Sequence, residues 1–274
     1  MGLRRASRLV TETESHFTRT LQGGYESDMP WKSIRWLQGH RNRLVFGRAL
    51  SWLSSDDPLK RARAAAVLGQ LRTSAWRPDR GPRYDFFRLY RQESFNAIVA
   101  ALQEESDART ISSFVSALGH LDVEEAVPVV ASFEEHESAN VRFSVSWALG
   151  CYPRDKLSME VLERLMDDVD RDVRDWAIFG VGVQGDADSS QLRDSFVRHL
   201  DDSFLDARME AAAALGKRRD ARVVEPLIRM LRTYGALNGL TEAAKSVLEL
   251  DDDPPSWFGK EYIAALEDRF PGAL

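Results

Sequence analysis

The stretch VRDWAIFGVG at residues 173–182 decides the fold, because versions of it recur along the chain. Related blocks are VRFSVSWALG (141–150) and ARMEAAAALG (207–216), with LKRARAAAVLG (59–69) and a degenerate copy, TISSFVSALG (110–119), before them. The glycines that end these blocks are separated by 50, 31, 32 and 34 residues. A period of about 32 residues is typical of proteins in which each repeat buries its apolar face against its neighbours.

A second amphipathic segment lies between successive blocks. Three examples are SMEVLERLMDD (158–168), SQLRDSFVRHLDD (190–202) and RVVEPLIRMLRT (222–233), whose apolar residues recur at intervals of three and four. Each unit is therefore predicted to be two antiparallel helices joined by short loops. Residues that can cap a helix or place an acid in its first turn precede the blocks, namely Asp57, Asp107, Ser138, Asp170 and Asp206. The terminal glycine is expected to close each helix in the left-handed conformation.

These blocks resemble HEAT repeats, in the short form named after phycobilisome lyases. The resemblance covers about residues 40 to 250, with Asp…Val-Arg-x-x-Ala-x-x-x-Leu-Gly as the repeated core. The stretch 173–202, followed by RMEAAAALGKRRDARVVEPLI, is more similar to one bacterial subgroup, the YibA-like HEAT proteins. The resemblance implies an all-α, right-handed α-solenoid with a concave inner face, here of about six helix pairs. Members of that subgroup are often encoded near polymorphic toxin elements.

The departures from the repeat define the expected domain organisation. Residues 1–40 match no repeat and are predicted to form an N-terminal cap or extension, 41–250 the array, and 251–274 a C-terminal cap with a closing helix after DDDPP. An amphipathic helix within 31–53 is expected to start the array. The insertion RTSAWRPDRGPRY at 72–84 is rich in arginine and is predicted to be a loop, either solvated or paired with acids; binding to a phosphate backbone is the alternative.

Two kinds of column run through the second helix of each unit. Small or aliphatic residues recur in three columns, which predict the buried stripe. The columns are Leu59, Val141, Val173 and Ala207; Ala64, Val145, Ala177 and Ala211; and Leu68, Leu149, Val181 and Leu215. Other columns vary from unit to unit, and a varying column is not needed to maintain the stack.

The variable columns predict a partner-binding patch. In the HEAT arrangement they line the concave face, so Trp147, Trp176 and Phe179 are expected to approach one another there, with Asp175 and Glu210 as acidic neighbours. Large aromatic side chains surrounded by polar groups are typical of protein-interface hot spots. The alternative is that the rings only fill gaps between large and small repeats.

An arginine stands eight residues before the final glycine in four of the five blocks, as Arg61, Arg142, Arg174 and Arg208. Because the residue recurs beside helix-start acids, we expect a structural ladder of hydrogen bonds between repeats. A ladder that holds an acidic ligand is the alternative.

Composition and charge exclude several classes of protein. The chain has 37 basic and 43 acidic residues, a net charge of −6, but residues 1–105 carry +7 and residues 106–274 carry −13. The acidic balance disfavours a general nucleic-acid binder. Cys151 is the only cysteine, so internal disulfides and thiolate zinc sites are excluded and a cytoplasmic location is expected. No apolar run is long enough for a membrane helix, so no membrane association is expected.

The motifs for catalysis are also missing. The five histidines show no metal-ligand spacing, and the single His136-Glu137 dipeptide cannot supply the ligands of a dinuclear iron site. The GVGVQGD segment at 180–186 ends a helix and does not link a strand to one, so it does not predict a phosphate loop. We therefore expect no catalytic site, no cofactor and no metal.

The function predicted from these observations is that of a non-enzymatic scaffold. A monomer would bind another protein on its concave face, and the resemblance sharpens this to an immunity-like or regulatory protein with a basic or toxin partner. A bilin lyase or isomerase is one alternative, suggested by the type of repeat alone. A HEAT-like DNA-repair protein is another, although Asp175 and Glu210 would then lie on a surface that should be basic.

Overall fold

The computed structural model describes residues 2–25, 27–40, 43–77, 83–250 and 257–272. The chain divides into two compact units, residues 1–151 (unit 1) and 152–274 (unit 2). Each unit is built from helix pairs that stack side by side, as predicted for an all-α solenoid. The boundaries predicted at residues 40 and 250 stay a prediction.

Unit 1 contains eight helices and one hairpin in its described residues. They are α1 (Gly2–Arg19), α2 (Trp31–Gly39), α3 (Arg43–Leu53), α4 (Pro58–Leu68), β1 (Arg72–Arg77), β2 (Arg83–Arg88), α5 (Arg91–Gln103), α6 (Ala108–Leu121), α7 (Ala126–Ala131) and α8 (Ala139–Gly150). The helix pairs are α3 with α4, α5 with α6, and α7 with α8.

Unit 2 contributes three more helix pairs and a last helix. Its elements are α9 (Lys156–Leu165), α10 (Arg171–Ile178), a π-helical segment (Phe179–Gln184), α11 (Ser190–His199), α12 (Leu205–Lys217), a 3₁₀ turn (Ala221–Val223), α13 (Val224–Tyr234), α14 (Asn238–Leu248) and α15 (Gly259–Arg269). Together with unit 1 this gives the expected six pairs in the described chain. We call α4, α6, α8, α10, α12 and α14 the inner helices.

The inner helices begin where the sequence predicts. Asp57, Asp107 and Asp170 occupy the N-cap and accept backbone N–H groups of the first turn, which satisfies donors that would otherwise lack partners. Ser138 also stands at an N-cap, without a side-chain bond. Asp206 lies in the first turn of α12, where its negative charge interacts favourably with the helix dipole.

The three predicted columns of small and aliphatic residues lie in the core. Eleven of their twelve members have no exposed surface, and Leu59, in the first turn of α4, is half-buried. In unit 1 they are buried as α4 packs on α6 and α6 on α8, and in unit 2 as α10 packs on α12 and α12 on α14.

The expected role of the block glycines is wrong. None of them adopts a positive φ; Gly119 and Gly216 lie inside their helices, and Gly150 is the last residue of α8. Four of them lie instead where one inner helix touches the backbone or Cβ of the next. The contacting pairs are Gly69 with Ala117, Gly119 with Ala148, Gly182 with Ala214, and Gly216 with Ala243. In three of the four pairs the alanine stands two residues before the glycine of its own repeat, which explains why Ala and Gly recur together in Ala-Leu-Gly.

Other residues near the ends of the inner helices adopt the left-handed backbone conformation. Asp122 (φ 56°) ends α6, and Arg219 (φ 51°) follows α12, each three residues after its block glycine. The chain therefore reverses direction one turn later than the glycine pattern indicated.

The insertion at 72–84 also differs from its predicted structure. It forms an antiparallel hairpin, with Arg72 opposite Arg88 and Arg77 opposite Arg83, where the sequence analysis expected a loop. Turn-forming residues at 78–82, PDRGP, separate two stretches that contain aromatic residues, a pattern that favours strands. The tip at 78–82 and the side chains of 73–87 lie outside the described residues, so ligand binding by the insertion stays a prediction.

The two ends of the chain are also helical. The single helix expected within 31–53 is divided into α2 and α3, and Phe17 of α1 packs edge-on against Trp52 of α3 at 4.9 Å. The expected closing helix is α15, which buries Tyr262 and Leu266. The DDDPP segment before it lies outside the described residues.

A basic pair that follows Gly216 ties α12 to the preceding repeat. The Arg218 guanidinium is buried and donates to the carbonyls of Val181, Gly182, Ala187 and Ala214 at 2.6–3.2 Å. The Lys217 ammonium donates to the carbonyls of Val183 and Gly185, both at 2.9 Å. Three of these six carbonyls belong to the π-helical segment and a fourth, that of Gly185, follows it directly, where the helix itself supplies no donor.

Candidate partner-binding surface

Two acids lie on neighbouring inner helices of unit 2. Asp175 stands on α10 and Glu210 on α12, and both are half-buried. Burial raises the pKa of Glu210 to about 7, with the charges of Asp175 and Asp206 adding to the effect. Burial likewise raises the pKa of Asp175 to about 6, aided by Asp206, Asp172 and Asp202. The Oδ1 atom of Asp175 is buried and has no hydrogen-bond partner in the described chain. The pair is thus an uncompensated acidic site.

An aromatic pair follows Asp175 along α10 and the segment that continues it. The rings of Trp176 and Phe179 meet edge to face, with centroids 5.7 Å apart and an angle of 82° between the planes. Both side chains are half-buried. Phe179 is the first residue of the π-helical segment, a distortion found often at functional sites. We call Asp175, Trp176, Phe179 and Glu210 the acidic–aromatic surface.

The third predicted ring, Trp147, belongs to unit 1. It lies on α8 and packs edge-on against His120 of α6, with ring centroids 4.4 Å apart. The structure therefore brings Trp176 and Phe179 together, while the approach of Trp147 to them stays a prediction.

The raised pKa values predict that unit 2 loses stability as the pH rises. Between pH 5 and pH 8 the folded protein must ionise Glu210 and Asp175, whereas the unfolded chain has already ionised most of both at pH 5. At pH 8, Glu210→Gln should raise the free energy of unfolding by about 2 kcal/mol, and at pH 5 it should change little. Urea unfolding at both values tests this, with the exposed Glu163→Gln as the control. An equal effect of Glu210→Gln at the two pH values would contradict it.

The four predicted ladder arginines share one contact. In each, Nη1 donates to the carbonyl six residues earlier, in the loop that leads into the inner helix. The bonds are Arg61 to Ser55 (2.8 Å), Arg142 to His136 (2.8 Å), Arg174 to Asp168 (2.8 Å) and Arg208 to Asp202 (2.6 Å). Such a recurring bond supports the structural role proposed for these residues.

Two of these arginines also reach the next repeat through bidentate pairs. Arg61 binds Glu105 at 2.6 and 2.8 Å, and Arg174 binds Asp202 at 2.7 and 2.8 Å. The Arg174 guanidinium holds the pKa of Asp202 at about 2. The acids are not the helix caps that the sequence analysis considered; each precedes its cap by two residues and accepts backbone N–H groups of the capping loop. Arg208 contacts the hydroxyl of Tyr234 at 3.0 Å.

The described residues contain neither a metal-binding cluster nor a membrane-spanning helix. No three His, Cys, Asp or Glu side chains in these ranges are grouped so that they could hold a metal ion. None of the described helices has both the length and the apolar character needed to cross a membrane.

Comparisons with known proteins agree with the repeat. The HEAT repeats family model matches residues 95–182 and 158–236, which together span just over half of the chain. Protein YibA of Escherichia coli K12 is 34% identical over 108 residues, which are 39% of this chain and 38% of that protein, so the match spans well under half of its length. The X-ray structure of YibA superposes with a TM-score of 0.67 and 20% identity over 97% of this chain and 96% of that one, a likeness of fold.

A weaker superposition involves the CpcE–CpcF complex of phycocyanin lyase from Nostoc sp. PCC7120. It covers 96% of this chain and 94% of that one, with a TM-score of 0.46 and 13% identity, too low to bear on function. The family match, by contrast, covers all of the blocks from Gly119 to Gly216. The chain belongs to the HEAT-repeat family.

Proposed function

We propose that this chain is a non-enzymatic scaffold that binds a basic protein through the acidic–aromatic surface of unit 2. The observation that carries the proposal is the pair Asp175 and Glu210, two half-buried carboxylates without a hydrogen-bonded or ion-paired basic side chain in the described parts of the chain. Buried charges are normally paired, so an unpaired acidic pair at an accessible surface suits a cation supplied by another molecule.

The neighbouring rings fit the same type of ligand. A lysine or arginine side chain placed between the two acids would lie beside Trp176, and the face of an indole attracts cations. Trp176 and Phe179 would also supply the apolar contact area on which interface hot spots depend. The balance of −13 over residues 106–274 would steer a basic partner toward this part of the chain.

Binding of a basic partner should depend on these side chains and on pH. We expect Trp176→Ala, and separately Asp175→Asn with Glu210→Gln, to weaken binding at least tenfold, since hot-spot truncations remove about 2 kcal/mol or more. Binding should also be weaker at pH 5 than at pH 8, because the cation must then displace protons from the acids. A lysine-rich peptide and basic proteins captured from lysate serve as ligands, measured by calorimetry.

The control for this experiment is Phe258→Ala, which removes an aromatic ring of similar size that is 68% exposed and lies outside the surface. Calorimetry in two buffers of different ionisation enthalpy should show protons released on binding near pH 6.5. Equal capture of basic ligands by wild type and the Trp176 variant, or binding with no proton release, would overturn the proposal.

Further proposals concern the identity of the partner, the oligomeric state and the cellular location. We propose that the chain acts as a monomer in the cytoplasm, that it is an immunity-like or regulatory protein, and that a toxin encoded nearby is the first ligand to test. Acids on the candidate surface disfavour a phosphate backbone, so nucleic acid is not the proposed ligand. Co-expression with the neighbouring gene products and sedimentation of the pure chain test these points, and a stable homodimer would contradict the monomer.

A further inference from the structure

The inner face of unit 1 holds a cavity of about 360 Å³ that the N-terminal region encloses. Its walls come from α4, α6 and α8 and from the segment between α1 and α2. Two contacts hold this segment down. The Tyr25 and Thr110 hydroxyl groups lie 3.0 Å apart, and the buried Arg63 guanidinium donates to the carbonyls of Thr20 (3.0 Å) and Gly24. The residues that match no repeat thus turn an open helical surface into a cavity of the size that small ligands occupy.

The charge of the cavity is positive. The guanidinium groups of Arg63 and Arg109 are among its lining residues, and no carboxylate is among the described ones. Arg63 is only 6% exposed and is held by the carbonyls above it. Arg109 is different, since its side chain is 57% exposed and its Cζ lies 4.5 Å from the centre of the Tyr25 ring. Its Nη2 lies 3.8 Å from Asp107 Oδ2, an ion pair longer than a hydrogen bond. The guanidinium therefore keeps N–H groups for a ligand at its exposed edge, and a carboxylate matches the geometry of that edge.

A second wall of the cavity consists of serine hydroxyl groups. Ser144 Oγ lies 2.7 Å from Ser112 Oγ, 3.1 Å from Ser116 Oγ and 3.1 Å from the carbonyl oxygen of Asn140. Ser116 donates to Ser144, whereas either hydroxyl can donate in the contact between Ser112 and Ser144, because Ser112 Oγ also lies 3.3 Å from the Asn140 carbonyl. In both arrangements Ser112 and Ser116 retain a lone pair, which can accept an N–H from a ligand.

The mouth of the cavity adds apolar area. Trp31, 41% exposed, and Phe143 both line it. A ligand that satisfies all three features carries a carboxylate, a nearby N–H donor and an apolar substituent. A polypeptide chain whose last residue is apolar ends in that combination of groups, and small N-acyl amino acids also carry it.

We propose that this cavity binds a carboxylate that carries a neighbouring N–H group and an apolar substituent, as in an N-acyl amino acid or the C-terminal residue of a peptide. Arg109 pairs with the carboxylate, Ser112 and Ser116 accept from the N–H, and Trp31 and Phe143 cover the apolar part. The site is separate from the acidic–aromatic surface, so either proposal can fail without the other.

Calorimetry of the full chain with a matched pair of probes tests the site. Benzoylglycine should bind at least tenfold more tightly than benzoylglycinamide, which lacks only the carboxylate charge. Arg109→Gln should weaken benzoylglycine binding about tenfold or more, the range expected for a lost charge-assisted bond. Arg35→Gln removes the same charge from an exposed position of α2 outside the cavity and should leave binding unchanged. Ser116→Leu, which fills the cavity from α6, should abolish it, and circular dichroism checks that each variant is folded.

A tripeptide that ends in phenylalanine, as free acid and as amide, distinguishes the two sources of carboxylate. Tighter binding of the peptide acid than of benzoylglycine would assign the site to a protein C-terminus, and binding of benzoylglycine alone would assign it to a small molecule. Either result supports the carboxylate site. Equal binding of acid and amide, no binding of any probe, or full affinity in folded Arg109→Gln or Ser116→Leu protein would overturn it.

Discussion

Replacing Arg218 with methionine should lower the free energy of unfolding of unit 2 by about 3–5 kcal/mol, the range seen when one member of a buried polar cluster is removed. The side chain is 9% exposed and donates five hydrogen bonds to four carbonyls, which belong to the π-helical segment, to α12 and to the loop that precedes α11. Methionine keeps much of the apolar stem but leaves carbonyls at the end of the π-helical segment without a donor, and each such buried group costs about 1–3 kcal/mol. The positive charge also lies at a helix C-terminus, which stabilises it.

Urea unfolding and hydrogen exchange of α10 and α12 measure this effect. The matched control is Arg198→Met, an exposed arginine on α11, which should change stability by less than about 0.5 kcal/mol. A similar small change for Arg218→Met would show that water or a shift of the chain replaces its bonds. Faster exchange confined to the amides of α10, the π-helical segment and α12 is the expected local signature.

The second large effect should come from a single methyl group. Gly119→Ala should destabilise unit 1 by about 2–3 kcal/mol, as overpacking of a tight contact does. The added carbon would lie 2.7 Å from the Cα and Cβ atoms of Ala148 and 2.9 Å from the ring of Trp147, so α6 and α8 must separate. Helix propensity alone predicts the opposite sign, because alanine is favoured over glycine inside a helix by about 1 kcal/mol.

Gly47→Ala supplies the control for Gly119→Ala, since Gly47 is exposed inside α3 and an added carbon there meets no atom within 4 Å. We expect that variant to be more stable than wild type, by up to about 1 kcal/mol. The same substitution should thus change stability in opposite directions at the two positions. Thermal unfolding of both variants decides the point, and a stabilised Gly119→Ala protein would disprove the close contact between α6 and α8.

The glycines show how far sequence reasoning reached and where it failed. Their spacing predicted the repeats, the helix pairs and the buried columns, because every repeat must meet the same packing condition. The pattern did not reveal their role, since a glycine at a helix end and one at a helix contact look alike in one dimension. The contact could have been inferred from Ala117, Ala148 and Ala214, which stand two residues before Gly119, Gly150 and Gly216.

Features that occur once were not predictable in this way. Arg218 follows only one of the glycines, so no periodicity marked it as a buried residue. The bond between Tyr25 and Thr110 joins residues 85 positions apart, and the N-terminal region that provides Tyr25 matches no repeat. The residues of the acidic–aromatic surface could be proposed from the sequence, because their columns vary between repeats. The pKa values of Asp175 and Glu210 could not, because they depend on burial, which only the structure shows.

Neighbouring inner helices are joined differently at their two ends, and this makes the stack mechanically uneven. At the C-terminal end a glycine lies against the next helix, as Gly69 does at Ala117 and Gly182 at Ala214. At the N-terminal end, long side chains span the gap, as in Arg61 with Glu105 and Arg174 with Asp202. Close-packed atoms resist compression steeply, whereas a flexible side chain can swing while keeping its bonds. Each pair of repeats should therefore bend about the glycine contacts, which stay closed, while the gap between the helices opens on the side of the arginine pairs.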